Sequence, residues 1–178
     1  MILVGVGANL PGEGGASPLD TCRDAVDALA RIDGLRLAGV SGWYETDPVP
    51  PSDQPPYVNG VVALQGEITP ETLLAALQAI EARHGRTRSA RNAARTLDLD
   101  IVAMGDLVRD GPDPVLPHPR AHERAFVLVP LRDLVPGWVH PRLGRTVDEL
   151  LAALPPACVR PCAAAGSSGA RRGRDVRR

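Results

Sequence analysis

Leu97-Asp98-Leu99-Asp100-Ile101-Val102-Ala103 alternates apolar and acidic side chains and then turns wholly apolar. On an extended strand, successive side chains project from opposite faces. Leu97, Leu99 and Ile101 therefore share a core face, while Asp98 and Asp100 share the other. Upstream, Thr69 is placed to cap a helix with Pro70 and Glu71 in its first turn, and Leu73, Leu74, Leu77 and Ile80 repeat at helical spacing up to Gly85. Tyr57 to Gln65 and Leu35 to Tyr44 read as strands. Ser17 and Pro18 open an earlier helix carrying Leu19, Cys22, Val26 and Leu29, and Ile2 to Gly7 reads as a buried first strand. The order strand, helix, strand, strand, helix, strand predicts an α+β fold with a ferredoxin-like βαββαβ core and an antiparallel sheet. Extra short strands are expected near residues 107–108 and 115–116, and closing helices over 126–134 and 146–154.

Bulk properties narrow the classes. The chain has 178 residues, enough for one domain with a core of its own. Its formal net charge is −1, which gives no global attraction to nucleic acid or an anionic membrane. From Pro155 the composition turns to Pro, Ala, Gly, Ser and Arg, with six Arg against one Asp. The expected organisation is a catalytic domain over 1–154 and a disordered basic tail over 155–178. Cys22, Cys158 and Cys162 have neither disulfide-framework nor zinc spacing. The start of the chain carries no basic leader or long apolar run, so a cytoplasmic protein with no membrane role is expected.

All twenty basic residues are Arg. A P-loop needs a lysine on the transferred phosphates, so nucleotide chemistry here must use another architecture, with Arg as the phosphate clamp. Two carboxylates on one rigid strand face repel each other, and Mg²⁺ relieves that repulsion with the hard oxygen donors it prefers. An isolated Asp-x-Asp is more often a solvated strand face. The preceding loop, however, carries Arg86, Arg88, Arg91 and Arg95, a natural counterpart to a triphosphate. Acids for a metal beside arginines for phosphate are the division of labour of phosphoryl transfer. His118 lies between Pro117 and Pro119, and Arg124 and Phe126, the sole Phe, follow it. Thr46 to Pro56 holds five prolines, and a long irregular loop within a compact domain is usually functional. An RNA-binding module on the same fold is disfavoured by the acidic body and the lack of a run of strand aromatics.

Four stretches together resemble the 6-hydroxymethyl-7,8-dihydropterin pyrophosphokinase family. They are Gly5-Val6-Gly7-Ala8-Asn9-Leu10, Tyr44 through Asn59, Glu81 through Asp100, and Pro117-His118 through Leu131. The resemblance covers residues 2 to about 154. It implies diphosphate transfer from ATP to a pterin alcohol, with AMP released. It further implies that Asp98 and Asp100 hold two Mg²⁺ ions bridging the ATP phosphates. Arg86, Arg95 and Arg124 would contact phosphate, His118 the triphosphate, and Glu81, Arg88 and Ile101 the nucleotide. Tyr57 and Phe126 would sandwich the pterin. Asn59, with backbone around Thr46 to Val49, would bond its edge, and the chain at Gly7 would pass it closely. Before Arg95 the sequence reads Asn92-Ala93-Ala94, without the ring the family commonly carries there, which implies altered substrate affinity or product release. The expected partners are the two small-molecule substrates alone, with the protein a monomer.

Overall fold

The computed structural model describes residues 1–48, 51–85 and 96–163. Its elements run β1 (Ile2–Ala8), α1 (Pro18–Leu29), β2 (Leu35–Val40), β3 (Tyr44–Thr46), β4 (Tyr57–Gly66), α2 (Pro70–Arg83), β5 (Asp98–Met104), α3 (Ala125–Leu134), α4 (Val147–Ala152) and β6 (Val159–Pro161). The sheet is antiparallel, in the order β5-β1-β4-β3-β6 with β2 also on β4. Taken alone, β5-β1-β4-β2 with α1 and α2 is the expected ferredoxin-like core. Both helix starts fall where the sequence put them. Ser17 and Thr69 accept the backbone N–H groups of Asp20 and Thr72 at 3.2 Å, each ahead of a proline.

The sheet is covered on both faces. On one, Val4, Val6, Val62, Leu64, Leu97, Leu99 and Ile101 pack against Cys22, Leu29, Leu73, Leu77 and Ile80 of α1 and α2. On the other, Leu3, Val61, Ala63, Val102 and Ala103 pack against Val127, Leu128 and Leu131 of α3 and Val147 and Leu150 of α4. Thr146 and Glu149 close a reciprocal capping box at the start of α4. Pro130 sits within α3 and removes the N–H that would bond the Phe126 carbonyl.

Three expectations need correction. The strand expected over 35–44 is two: β2 pairs with the second half of β4, and β3 with the first half. Ser41-Gly42 lies between them, and the Ser41 hydroxyl accepts the Val61 N–H at 2.9 Å in place of a strand partner. The short strands expected near 107 and 115 reduce to one isolated bridge between Arg109 and Leu116. Part of the stretch expected to be disordered from Pro155 forms a strand. Val159–Pro161 forms β6 on the open edge of β3, which supplies the unpaired backbone groups that a Pro- and Ala-rich stretch could not organise by itself. Residues 164–178 lie outside the described residues.

Candidate active site

The expected acid pair stands on one face of β5, and that face opens into a shallow cleft that both acids line. In register, Gly7 lies between Asp98 on β5 and Asn59 on β4, and Gly5 lies between Asp100 and Val61. The central strand β1 thus offers bare backbone between an acidic edge and an amide. Two inter-strand spacings separate Asp98 from Asn59, about 10 Å. Neither glycine has the left-handed backbone that would demand glycine for conformation. Their importance is the space they leave: a methyl at Gly7 would stand 3.3 Å from Asn59 Oδ1.

A β-bulge aims the next group. The pairing of β1 with β5 passes from Val4↔Ile101 to Leu3↔Ala103, so Val102 is the extra residue. Its carbonyl accepts the His118 backbone N–H at 2.9 Å and anchors the 116–120 segment over the cleft. His118 Nδ1 accepts the Arg120 N–H at 3.0 Å, which leaves the ring proton of neutral histidine on Nε2. That nitrogen is 3.8 Å from Asp100 Oδ2. Burial holds the His118 imidazole below its usual value, Asp100 pulls it upward and Arg124 adds to the lowering. A neutral ring still donates through Nε2–H.

Arg124, just ahead of α3, places Nη1 at 3.7 Å from the same Asp100 oxygen. Its guanidinium also lies 5.6 Å from the centre of the Phe126 ring. Phe126 is 37% exposed, which is unusual for a lone large aromatic at a helix start, and it lines the cleft. Asn59 is buried, and its Nδ2 donates to Thr46 Oγ1 at 2.9 Å. That bond fixes the amide, so the acceptor Oδ1 faces the bare strip at Gly7.

Gly7, Asn59, Asp98, Asp100, His118, Arg124 and Phe126 therefore meet in one place. Other expected residues stand elsewhere. Ile101 is 5% exposed in the core beneath α1 and α2, so only its backbone could meet a ligand. Glu81 is buried on α2, and its Oε1 accepts the Leu99 N–H at 2.8 Å on the outer edge of β5. The placement makes it a support of the acid-bearing strand, because a buried carboxylate needs donors and an edge strand offers them. Thr46 is buried behind Asn59, so its side chain positions the amide. Tyr57 lies beyond the cleft lining, its hydroxyl donating to Gln54 Oε1 at 3.1 Å. Val49, Arg86, Arg88, Arg95 and the ring-free stretch before Arg95 lie outside the described residues.

Among residues that the sequence reading left unassigned, Gln54 and Asn9 join this region. Gln54 Oε1 also accepts from Asn9 Nδ2 at 3.2 Å, and Asn9 is completely buried at the end of β1. A buried Asn beside Gly7-Ala8 was a visible signal, since an amide is rarely hidden without a structural duty.

The donor set suits magnesium. Among the described residues there is no cluster of three or more His, Cys, Asp or Glu that could cage a metal alone. Mg²⁺ needs no such cage: one or two carboxylates with waters and substrate phosphates suffice. Asp98 and Asp100 offer that arrangement.

Comparison with known proteins gives the family and the fold. A family model described as 7,8-dihydro-6-hydroxymethylpterin-pyrophosphokinase matches residues 3–136, stopping short of α4 and β6. The 2-amino-4-hydroxy-6-hydroxymethyldihydropteridine pyrophosphokinase of Pseudomonas aeruginosa is 46% identical over 154 residues, which is 86% of this chain and 91% of that one. The protein of the same name from Synechocystis is 38% identical over 149 residues, 84% of this chain and 73% of that one. In fold, the chain is similar to the crystal structure of Plasmodium falciparum HPPK-DHPS, with a TM-score of 0.64 and 13% identity over 85% of this chain. It spans 44% of that longer chain. With the matched region running from β1 through α3 and the acid-lined cleft inside it, this chain belongs to the 7,8-dihydro-6-hydroxymethylpterin-pyrophosphokinase family.

Proposed function

We propose that the protein transfers the diphosphate of ATP to the hydroxymethyl group of 6-hydroxymethyl-7,8-dihydropterin, a step of folate biosynthesis. The substrate hydroxyl oxygen bonds to the β-phosphorus and gives up its proton, the bond from the β-phosphorus to the bridging oxygen breaks, and AMP leaves with that oxygen. The observation that carries this reading is the meeting of Asp98 and Asp100 with His118, Arg124, Asn59 and Phe126 around a bare strip of β1.

The residues described at the cleft have tasks that their positions support, and those of Arg86, Arg88 and Arg95 rest on the family. Asn59 Oδ1 accepts from the N–H groups along the pterin edge, and the chain at Gly7 passes the ring closely. Phe126 stacks on the pterin, in a pair with Tyr57 if the Pro-rich segment brings that ring inward. Arg124 and the neutral His118 donate to phosphate oxygens, joined by Arg86, Arg88 and Arg95. Glu81 holds β5 in place beside the nucleotide, and the Ile101 backbone faces it. Asp98 and Asp100 would hold two Mg²⁺ ions, which would neutralise phosphate charge. Positioning and charge stabilisation account for most of the catalysis in this chemistry.

A monomer is the proposed state. No helix among the described residues is long and apolar enough to cross a membrane. The cytoplasm, where ATP is available, is the proposed compartment, and residues 1–154 the catalytic domain. The test is AMP release from ATP with and without the pterin alcohol. Asp98→Ala and Asp100→Ala should each lower kcat about 10³-fold, several kcal/mol of lost charge stabilisation, with the fold retained. AMP release at wild-type rates in both variants would refute the metal assignment.

A further inference from the structure

We infer that the C-terminal strand β6 is a positioning element for the substrate side of the cleft, with Arg160 as its anchor; the inference rests on the pterin reading above. β3 has only three residues, too few to hold a position from one pairing alone. β4 pairs with it on one edge through Tyr44↔Asn59 and Thr46↔Tyr57. β6 pairs with the other through Tyr44↔Pro161, Glu45↔Arg160 and Thr46↔Val159. Just past β6, the Cys162 N–H donates to the Trp43 carbonyl at 2.8 Å. The Trp43 ring lies against Gly60, where a methyl would come within 2.6 Å of it.

The side chains extend this brace toward the site. Arg160 grips Asp47 with both ends of its fork, Nη2 to Oδ1 at 2.9 Å and Nη1 to Oδ2 at 3.1 Å. Asp47 directly follows Thr46, whose hydroxyl fixes the Asn59 amide at 2.9 Å. A continuous line of contacts therefore runs from β6 through Asp47 and Thr46 to an amide that lines the cleft. Arg160 and Asp47 are 43% and 60% exposed, so the pair adds little to global stability. A bidentate pair nonetheless fixes direction. Here it sets the path by which the chain leaves β3 for the Pro-rich segment. The role is local and geometric, and it acts on one substrate only.

The test compares the full-length wild type with Arg160→Ala, Arg160→Asp and the charge swap Asp47→Arg/Arg160→Asp. Arg160→Ala should raise KM for the pterin alcohol by about 3- to 5-fold, the most an exposed pair commonly supplies, with KM for ATP and kcat within about twofold. Arg160→Asp should raise it further, and the swap should recover part of the loss. A purely structural strand would move both KM values and the melting temperature together, or none of them, and either result overturns the inference. Amide exchange in Tyr44–Thr46 judges the brace without substrate: it should be faster in Arg160→Ala, and unchanged exchange also overturns it. If the wild type itself releases no AMP with the pterin alcohol, the functional reading falls and the exchange result alone decides on β6.

Discussion

Replacing Gly7 with Ala separates the site from the fold, because binding should weaken while stability stays nearly unchanged. The new methyl would stand 3.3 Å from Asn59 Oδ1 and 3.8 Å from the Val58 carbonyl. The backbone there is ordinary strand, so alanine brings no conformational strain and gains roughly 0.5–1 kcal/mol of chain entropy over glycine. Against this, Asn59 must retreat by a few tenths of an ångström while its Nδ2 is held at 2.9 Å by Thr46. Weakening that bond costs about 0.5–1.5 kcal/mol. The sum is within about 1 kcal/mol of zero, a melting shift of roughly 3 °C or less for a domain of this size. Binding has no such offset. On the proposed function, the methyl would enter the strip that the pterin passes closely and displace the acceptor proposed to read its edge. Loss of that hydrogen bond with a desolvated donor left behind costs about 1–3 kcal/mol, so the pterin dissociation constant should rise roughly 5- to 150-fold. Equilibrium binding of the pterin alcohol, followed by its fluorescence, measures the effect, and binding of an ATP analogue serves as the internal control. Unchanged pterin affinity with unchanged melting would show that the bare strip is not where the ring lies. A fall in melting of more than about 6 °C would show that the steric estimate is wrong.

Two further outcomes test the scaffold. Thr146→Ala removes the hydroxyl that accepts the Glu149 N–H at the start of α4, while the Thr146 N–H still donates to the Glu149 carboxylate, and should lower stability by about 1 kcal/mol in urea unfolding, with activity unchanged because α4 lies behind the second core. His140 is 2% exposed, and burial, then the His122 ring, hold its imidazole below the ordinary value. As pH falls through the normal histidine range, the unfolded chain takes up this proton first, so stability is full at neutral pH and falls below about pH 6.5. Asparagine can replace the Nδ1 acceptor that takes the Arg142 and Leu143 N–H groups at 3.3 and 3.2 Å. His140→Asn should therefore lose less melting temperature between pH 7.5 and 5 than the wild type does; an equal loss would assign the acid sensitivity to other groups.

What could be read from the sequence was what depends on neighbours along the chain. The alternation of Leu97 to Ile101 and the Ser17-Pro18 and Thr69-Pro70 starts are local signals, and each holds in three dimensions. The acid pair could be read for the same reason, because strand pleat alone puts Asp98 and Asp100 on one face. Three features were hidden. The break at Ser41-Gly42 depends on a hydroxyl reaching β4. Glu81 sits on the buried side of α2, where a carboxylate contradicts the apolar period, and its role appears only once the edge of β5 is beside it. β6 reads as a disordered stretch because its order comes from the free edge of β3, a property of the assembled sheet. In each case the missing information was a backbone partner distant in sequence.

The position of the cleft follows from how that sheet is covered. α3 and α4 cover the side of the face that carries Leu3, Val61, Ala63 and Val102, where apolar burial stabilises the contact. Along the same face of β1, the next inward positions are Gly5 and Gly7, flanked by Asp98, Asp100 and Asn59. Bare backbone, two carboxylates and an amide offer a helix nothing to bury and impose a desolvation cost. The second layer therefore ends there, with Arg124 and Phe126 at the first turn of α3 left standing at its rim. The composition of β1 thus decides where the cover stops as well as what the opening contains. Filling Gly5 and Gly7 with large apolar residues would remove the reason for a cleft as surely as it removed the room for a ligand.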